Sequence, residues 1–218
     1  ETIKIGIKYL IQMHIGVVFL MLAFIWAYTQ TGAEFSFDGL AVYFQAHNPF
    51  YLFMLFFIGF GIKAGFIPLH SWLPHAHPAA PSHVSGVMSG VMIKMGIYGI
   101  LRVLTYIHHD LFYIGLFILI ISLISGLIGV SMAIVQHDVK KLLAYHSIEN
   151  IGIIGIGIGL GTIGLAENMP LLTVLGFGGG ILHILNHSLF KSLLFYTAGS
   201  VYQQTLTRNI EQLGGLIK

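Results

Sequence analysis

No cysteine occurs among the 218 residues, which removes disulfides, cysteine-held iron–sulfur clusters and thiol nucleophiles together. Charge is nearly as scarce. Asp, Glu, Lys and Arg make up 8% of the chain, against about 25% in an ordinary soluble domain. The formal charge is only +2, and no basic cluster or stacking platform is present to hold nucleic acid. No initiator Met, basic n-region or cleavage site is seen, so no signal peptide is expected, and the chain is expected to begin and end within a longer protein. What remains is apolar. With 56% hydrophobic residues and a mean hydropathy of +0.86, the chain reads as a polytopic membrane protein, because a soluble core of this length needs no such poverty of charge. Histidine is the one titratable residue in excess, at twelve copies.

Apolar runs of about 20 residues, long enough to cross ~30 Å of hydrocarbon, can be drawn at Ile5–Tyr28, Pro49–Phe66, Val84–Tyr106, Leu111–Val135, Leu142–Gly161 and Leu171–Tyr202. The fold class is therefore all-α, a membrane helix bundle of about six spans. The last run is too long for one straight span, and the glycines of Gly176–Gly180 are expected to break, bend or tilt it. Residues 1–218 are expected to form a single transmembrane domain fragment. Lys4 and Lys8, Lys140 and Lys141, and Arg208 and Lys218 alternate with loops carrying Glu34, Asp38, Asp110 and Glu167, where Arg102 is the only nearby cation. Positive-inside counting then puts both ends in the cytoplasm.

Two lysines interrupt this pattern. Lys63 and Lys94 lie inside strongly apolar stretches with no neighbouring carboxylate. A lysine at the centre of a span costs about 2.5–3.5 kcal/mol on insertion scales, which points to use of the amine; snorkelling to the headgroups is the bland alternative. Just after Lys63 come prolines 68, 74, 78 and 81, which forbid one continuous helix. A helix ending near Lys63–Pro68, inside the membrane, presents unpaired carbonyls that would help hold a protonated amine. Pro74–Pro81 fits an ordinary loop.

His183, His187 and Lys191 recur at i, i+4 and i+8, hence on one helix face in steps of about 6 Å. Such a ladder suits a proton relay, since imidazole accepts at one nitrogen and donates at the other. Polar glue between helices is the second reading. Metal binding ranks last, because no cysteine is available and carboxylates are sparse, so no metal is assigned. In the fifth run Asp138 can cap the helix, with Lys141 in its first turn. His146 and Glu149 carry polar groups inward, and with Lys141 they are candidates for counter-charge or further relay. For Glu149 a salt bridge to a neighbouring helix weighs about as much.

These segments together resemble the antiporter-like, proton-translocating membrane subunits shared by respiratory complex I, Mrp-type cation/proton antiporters and membrane-bound hydrogenases. The stretches that carry the likeness are Gly61–His77 (GIKAGFIPLHSWLPHAH), Ile93–Arg102, Asp138–Ser147 and His183–Lys191. They cover nearly the whole chain in order. Within that family, Tyr145–Gly152 and Leu185–Lys191 are similar to the large membrane subunits of the formate hydrogenlyase and hydrogenase-4 type. The resemblance implies that Lys63 matches the lysine of the family's broken seventh helix and Lys94 the bridging lysine of the eighth. His183, His187 and Lys191 would match the connecting residues of the eleventh. The chain then reads as helices six to eleven of about fourteen built from inverted repeats. The fifth-helix glutamate and the charged residue of the broken twelfth helix have no counterpart here.

The function this implies is proton translocation through Lys63, Lys94, His183, His187 and Lys191, coupled to electron transfer elsewhere. Two ammonium groups ~8 Å apart at an effective dielectric of ~20 repel by about 2 kcal/mol, so charging one site can discharge the next. The implied partners are other membrane subunits and a peripheral redox module of the nickel–iron hydrogenase, formate dehydrogenase or complex I type. The chain itself would be a pumping subunit with no cofactor and no redox chemistry, and the implied location is a prokaryotic inner membrane. Rival readings are a Na⁺/H⁺ or K⁺/H⁺ antiporter, which would want an oxygen-rich cation site, a haem-binding carrier using His70 and His83, and a purely structural arm.

Overall fold

The computed structural model describes residues 2–215 and is helical almost throughout; Lys218, used above for sidedness, lies outside the described residues. The helices are α1 (Thr2–Thr31), α2 (Phe37–Ala46), α3 (Pro49–Ala64), α4 (Leu73–Ala79), α5 (Ser82–Val87), α6 (Ile93–Leu104), α7 (Leu111–Ile134), α8 (Val139–Ala166) and α9 (Pro170–Thr205), and a π-helical turn, Met88–Met92, joins α5 to α6. Among the described residues, five segments are long and apolar enough to cross a membrane: α1, the α5–α6 run, α7, α8 and α9. The protein is an integral membrane protein.

The second expected span, Pro49–Phe66, is shorter than it was drawn. Helix α3 has 16 residues, about 24 Å at 1.5 Å each. It begins at an Asn48 cap followed by Pro49 and stops at Gly65, whose φ of 86° is left-handed. That conformation suits a residue without Cβ. The chain then turns through Phe66–Trp72 and re-enters a helix, α4. Pro74–Pro81 is thus no ordinary loop, since Pro74 occupies the first turn, where its missing N–H costs nothing, and α4 packs on α8.

The end of α3 also corrects the expectation for its carbonyls. Gly65 and Phe66 both donate to the Gly61 carbonyl, and the buried Trp72 indole donates to Ile62 O at 2.8 Å. The carbonyls are capped by the re-entrant segment itself rather than by Lys63. Ser125 of α7 ties the segment down by accepting from Ile67 N at 3.0 Å. Trp72→Phe keeps the ring but orphans the Ile62 carbonyl, so thermal unfolding in detergent should report a loss of about 1–3 kcal/mol. An unchanged midpoint would mean the indole bond holds nothing.

Helix α9 is not broken. Its 36 residues make about 54 Å of continuous helix. Gly176 and Gly180 pack against Gly161 and Gly157 of α8, where a Cβ on Gly176 would strike the α8 backbone. The glycines serve close approach of two spans. Helix α8 lies along α7 on one side and α9 on the other; α3 packs on α1 and α6, and α5 with the π-turn packs on α9. Helix α2, absent from the hydropathy reading, is capped by Ser36 and packs on α1.

Candidate functional site

The site grows from the π-turn. Hydrogen bonds in such a turn run one residue further than in an α-helix, and it is a recurrent feature of functional sites. Here Lys94 folds back over the turn, and its Nζ donates to the Ser89 carbonyl. The same ammonium reaches His187 Nδ1 of α9 at 2.6 Å. Lys94 is 8% exposed and His187 fully buried.

What brings α9 within reach is the small-residue face of α5 and the turn. A Cβ on Gly90 would collide with Ser192 Oγ and crowd Ser188 O at 3.2 Å. In the bare space, Ser188 Oγ donates to Gly90 O at 2.5 Å and Ser192 Oγ to Gly86 O at 3.3 Å. These bonds set the rotation of α9 that aims His187 at Lys94.

Helix α8 closes the third side. Lys191, buried one turn beyond His187, donates from Nζ to Leu143 O at 3.0 Å, and Ser147 Oγ donates to the same carbonyl at 3.0 Å. Ser89 and Ser147 hydroxyls meet at 2.8 Å across α8 and the π-turn. His183 Nε2 lies 2.9 Å from Asn150 Oδ1 of α8. The His183 and His187 rings are nearly parallel, at 9°, with centroids 6.2 Å apart. Lys94, His187 and Lys191 thus form a buried cluster, held by serines and a backbone carbonyl, with half-buried His183 at its edge. The Lys94–His187 contact can pass a proton: the ammonium donates to Nδ1, leaving a neutral amine and an imidazolium. His187 Nε2 has no partner among the described residues, although a buried polar atom normally has one in protein or ordered water.

The structure does not bring every sequence-derived residue into this cluster. Lys63 lines a separate cavity of about 390 Å³ with Met13, Gly16, Gly59, Tyr98 and Arg102, between α1, α3 and α6. Glu149 pairs with His146 on its own helix at 2.5 Å, with side chains 24% and 35% exposed, so its partner is local rather than a basic residue on a neighbouring helix. Lys141 stays in the first turn of α8, where its backbone N–H donates to Asp138 at 3.0 Å, the cap expected from the sequence.

Sequence reasoning missed Ser89 and the bond from Asn150. It also missed His77, which is fully buried in α4, stacks on Phe195 at 4.6 Å and has both ring nitrogens unpaired among the described residues. His77 sits in a run with His70, His75 and His83, and no local pattern separates the buried member from the others. The π-turn had a faint signal in Gly86 and Gly90, one helical turn apart.

Comparison with known proteins gives a consistent picture. The transmembrane family described as NADH:quinone oxidoreductase/Mrp antiporter matches residues 1–218. Hydrogenase-4 component B of Escherichia coli (strain K12) is 44% identical over 223 residues, covering 100% of this chain and 33% of the relative. Formate hydrogenlyase subunit 3 of the same strain is 45% identical over 167 residues, 77% of this chain and 28% of the relative. Among solved structures, a chain of the membrane-bound sulfane sulfur reductase, an archaeal respiratory membrane complex, superposes with a TM-score of 0.85 at 28% identity over 99% of this chain and 36% of that one. A chain of the Mrp complex from Dietzia sp. DQ12-45-1b gives 0.84 at 24% identity over 99% and 38%, a likeness of fold alone. This chain spans about a third of the length of the curated relatives it matches.

Proposed function

Because this chain belongs to the NADH:quinone oxidoreductase/Mrp antiporter transmembrane family, we propose that it is the part of a proton-translocating membrane subunit that moves protons through Lys94, His187, His183 and Lys191. The observation that carries this reading is the buried 2.6 Å contact between Lys94 Nζ and His187 Nδ1. An ammonium held against a neutral imidazole at membrane depth is a proton donor facing its acceptor, and burial of both makes the unpaired alternative costly. Lys191, with its own carbonyl partner, supplies a second charge whose repulsion favours discharge of the first. Lys63 enters as a separate station in its own cavity between α1, α3 and α6. Glu149 with His146 is a lateral counter-charge, and half-buried Lys141 is a further one at the start of α8.

The driving force is electron transfer in partner subunits of a hydrogenase or complex I-like assembly, as the names of the relatives suggest. Thr2, Ile5, Lys140 and Arg208 line one cavity of about 900 Å³ with Pro78–His83, so three cation-bearing segments meet at one end of the bundle. By the positive-inside rule that end faces the cytoplasm of a prokaryotic inner membrane.

In proteoliposomes holding the full-length protein in its native assembly, redox turnover should acidify or alkalise the lumen equally with and without Na⁺. A strict sodium requirement would replace this reading with cation/proton antiport.

A further inference from the structure

Asn150 is the one side chain in the cluster whose donors and acceptors leave no freedom. Its Nδ2 lies 2.6 Å from the His146 carbonyl and its Oδ1 2.9 Å from His183 Nε2. A carbonyl oxygen only accepts, so the amide nitrogen must face it and the assignment cannot be flipped. The amide oxygen therefore faces His183, and it too only accepts. The hydrogen on that contact has to come from the imidazole.

We infer that Asn150 is a positioning residue that holds neutral His183 as the Nε2–H tautomer, leaving Nδ1 as the only atom through which His183 takes up and releases a proton. This rests on the relay reading above and adds direction to it. With Lys94 protonated, its ammonium can only donate to His187 Nδ1 across the 2.6 Å contact, so neutral His187 then carries its own hydrogen on Nε2, the buried atom with no partner among the described residues. The parallel rings, 6.2 Å between centroids, are too far apart for a direct bond, and one water between them would satisfy that N–H.

The transfer then balances. Lys94 gives a proton to His187 Nδ1 and becomes a neutral amine. His187 loses its Nε2 proton to the water, and the water passes one to His183 Nδ1. His183 becomes an imidazolium with hydrogens on both nitrogens. It cannot discharge through Nε2, because an amide oxygen is far too weak a base to carry the proton on. The ring therefore empties through the atom that filled it. Within the relay it is a station that loads and unloads at one atom, whereas His187 conducts from one nitrogen to the other. The titratable groups that face it are His187 on α9 and Lys94 on α6, while Lys191 lies two turns further along α9.

The test is ¹⁵N solid-state NMR of the full-length protein in its assembly, with the His183 signals assigned by their loss in His183→Gln. At a pH where the ring is neutral, the spectrum should show a protonated Nε2 and a bare Nδ1. The opposite tautomer would overturn the inference. Asn150→Leu should let the Nδ1–H form appear and slow translocation about tenfold, the fold-change equivalent of roughly one hydrogen bond. An Asn150→Leu spectrum unchanged from the parent would equally reject the role. Either failure leaves the Lys94 results below intact, so the loss of this inference is separable from the loss of the relay.

Discussion

Lys94→Met in the full-length protein abolishes proton translocation, by at least about 100-fold, while the assembly still forms. The argument is local. Methionine is close to lysine in length and flexibility and fills the same buried space. Replacing a buried cation by an apolar chain removes a desolvation penalty, so the fold does not suffer from losing the charge itself. What is lost is the donor shared by the Ser89 carbonyl and His187 Nδ1. The Ser89 carbonyl loses a charge-assisted hydrogen bond, at about 1.5–3 kcal/mol, a modest fraction of the stability supplied by packing on α3 and α9. The proton path, in contrast, loses the group that charges His187. Lumenal pH change per electron transferred is the readout, with subunit content by native electrophoresis as the control. Pumping at the parental ratio in an intact Lys94→Met assembly would remove Lys94 from the mechanism.

Gly90→Ala is expected to be nearly as damaging from outside the titratable set. The new methyl would occupy the space of Ser192 Oγ and press on the Ser188 carbonyl. Overpacking of this kind costs about 1–3 kcal/mol. Relief by sliding α9 outward would lengthen the Lys94–His187 contact, and a misplacement of ~1 Å at a reacting pair costs about 100-fold in rate. Ser192→Ala removes the clashing hydroxyl, and the double variant should recover much of the lost translocation. Ser192→Ala alone should be mild, since it forfeits only hydrogen bonds to Gly86 O and Ser188 O. Wild-type pumping by Gly90→Ala would show that the approach of α9 to the π-turn is not what seats His187.

Several parts of this arrangement were legible before any coordinates. The i, i+4, i+8 ladder put His183, His187 and Lys191 on one face of α9, because side-chain direction in a helix follows from spacing alone. Of these, His187 and Lys191 are in fact buried. The Asp138 cap and the break after Lys63 were equally local, the first from a side chain three residues from its donor, the second from proline and glycine chemistry. Of the break, bend or tilt expected at Gly176–Gly180, the break does not occur, for a reason of the same kind. Glycine lowers local helix propensity, but here that loss is offset by backbone contact with Gly157 and Gly161, partners that lie across the bundle. That Lys63 lines a cavity of its own was not legible either, since two lysines in apolar runs look alike until the rotation of each helix is known.

The amino-acid sequence by itself determined the class of the molecule, the order and approximate extent of its spans, the sign of charge at each turn and the residues able to titrate. These are sums or periodicities over neighbouring positions, and the bilayer enforces them on any segment of that composition. Only the tertiary structure decided that Lys94 meets a histidine 93 positions away, that Lys63 faces a different cavity and that Asn150 addresses His183. Those outcomes depend on how far each helix turns about its own axis and how closely two backbones approach. Such quantities are settled by contacts such as Gly90 with Ser192, to which hydropathy and spacing along one chain segment are blind.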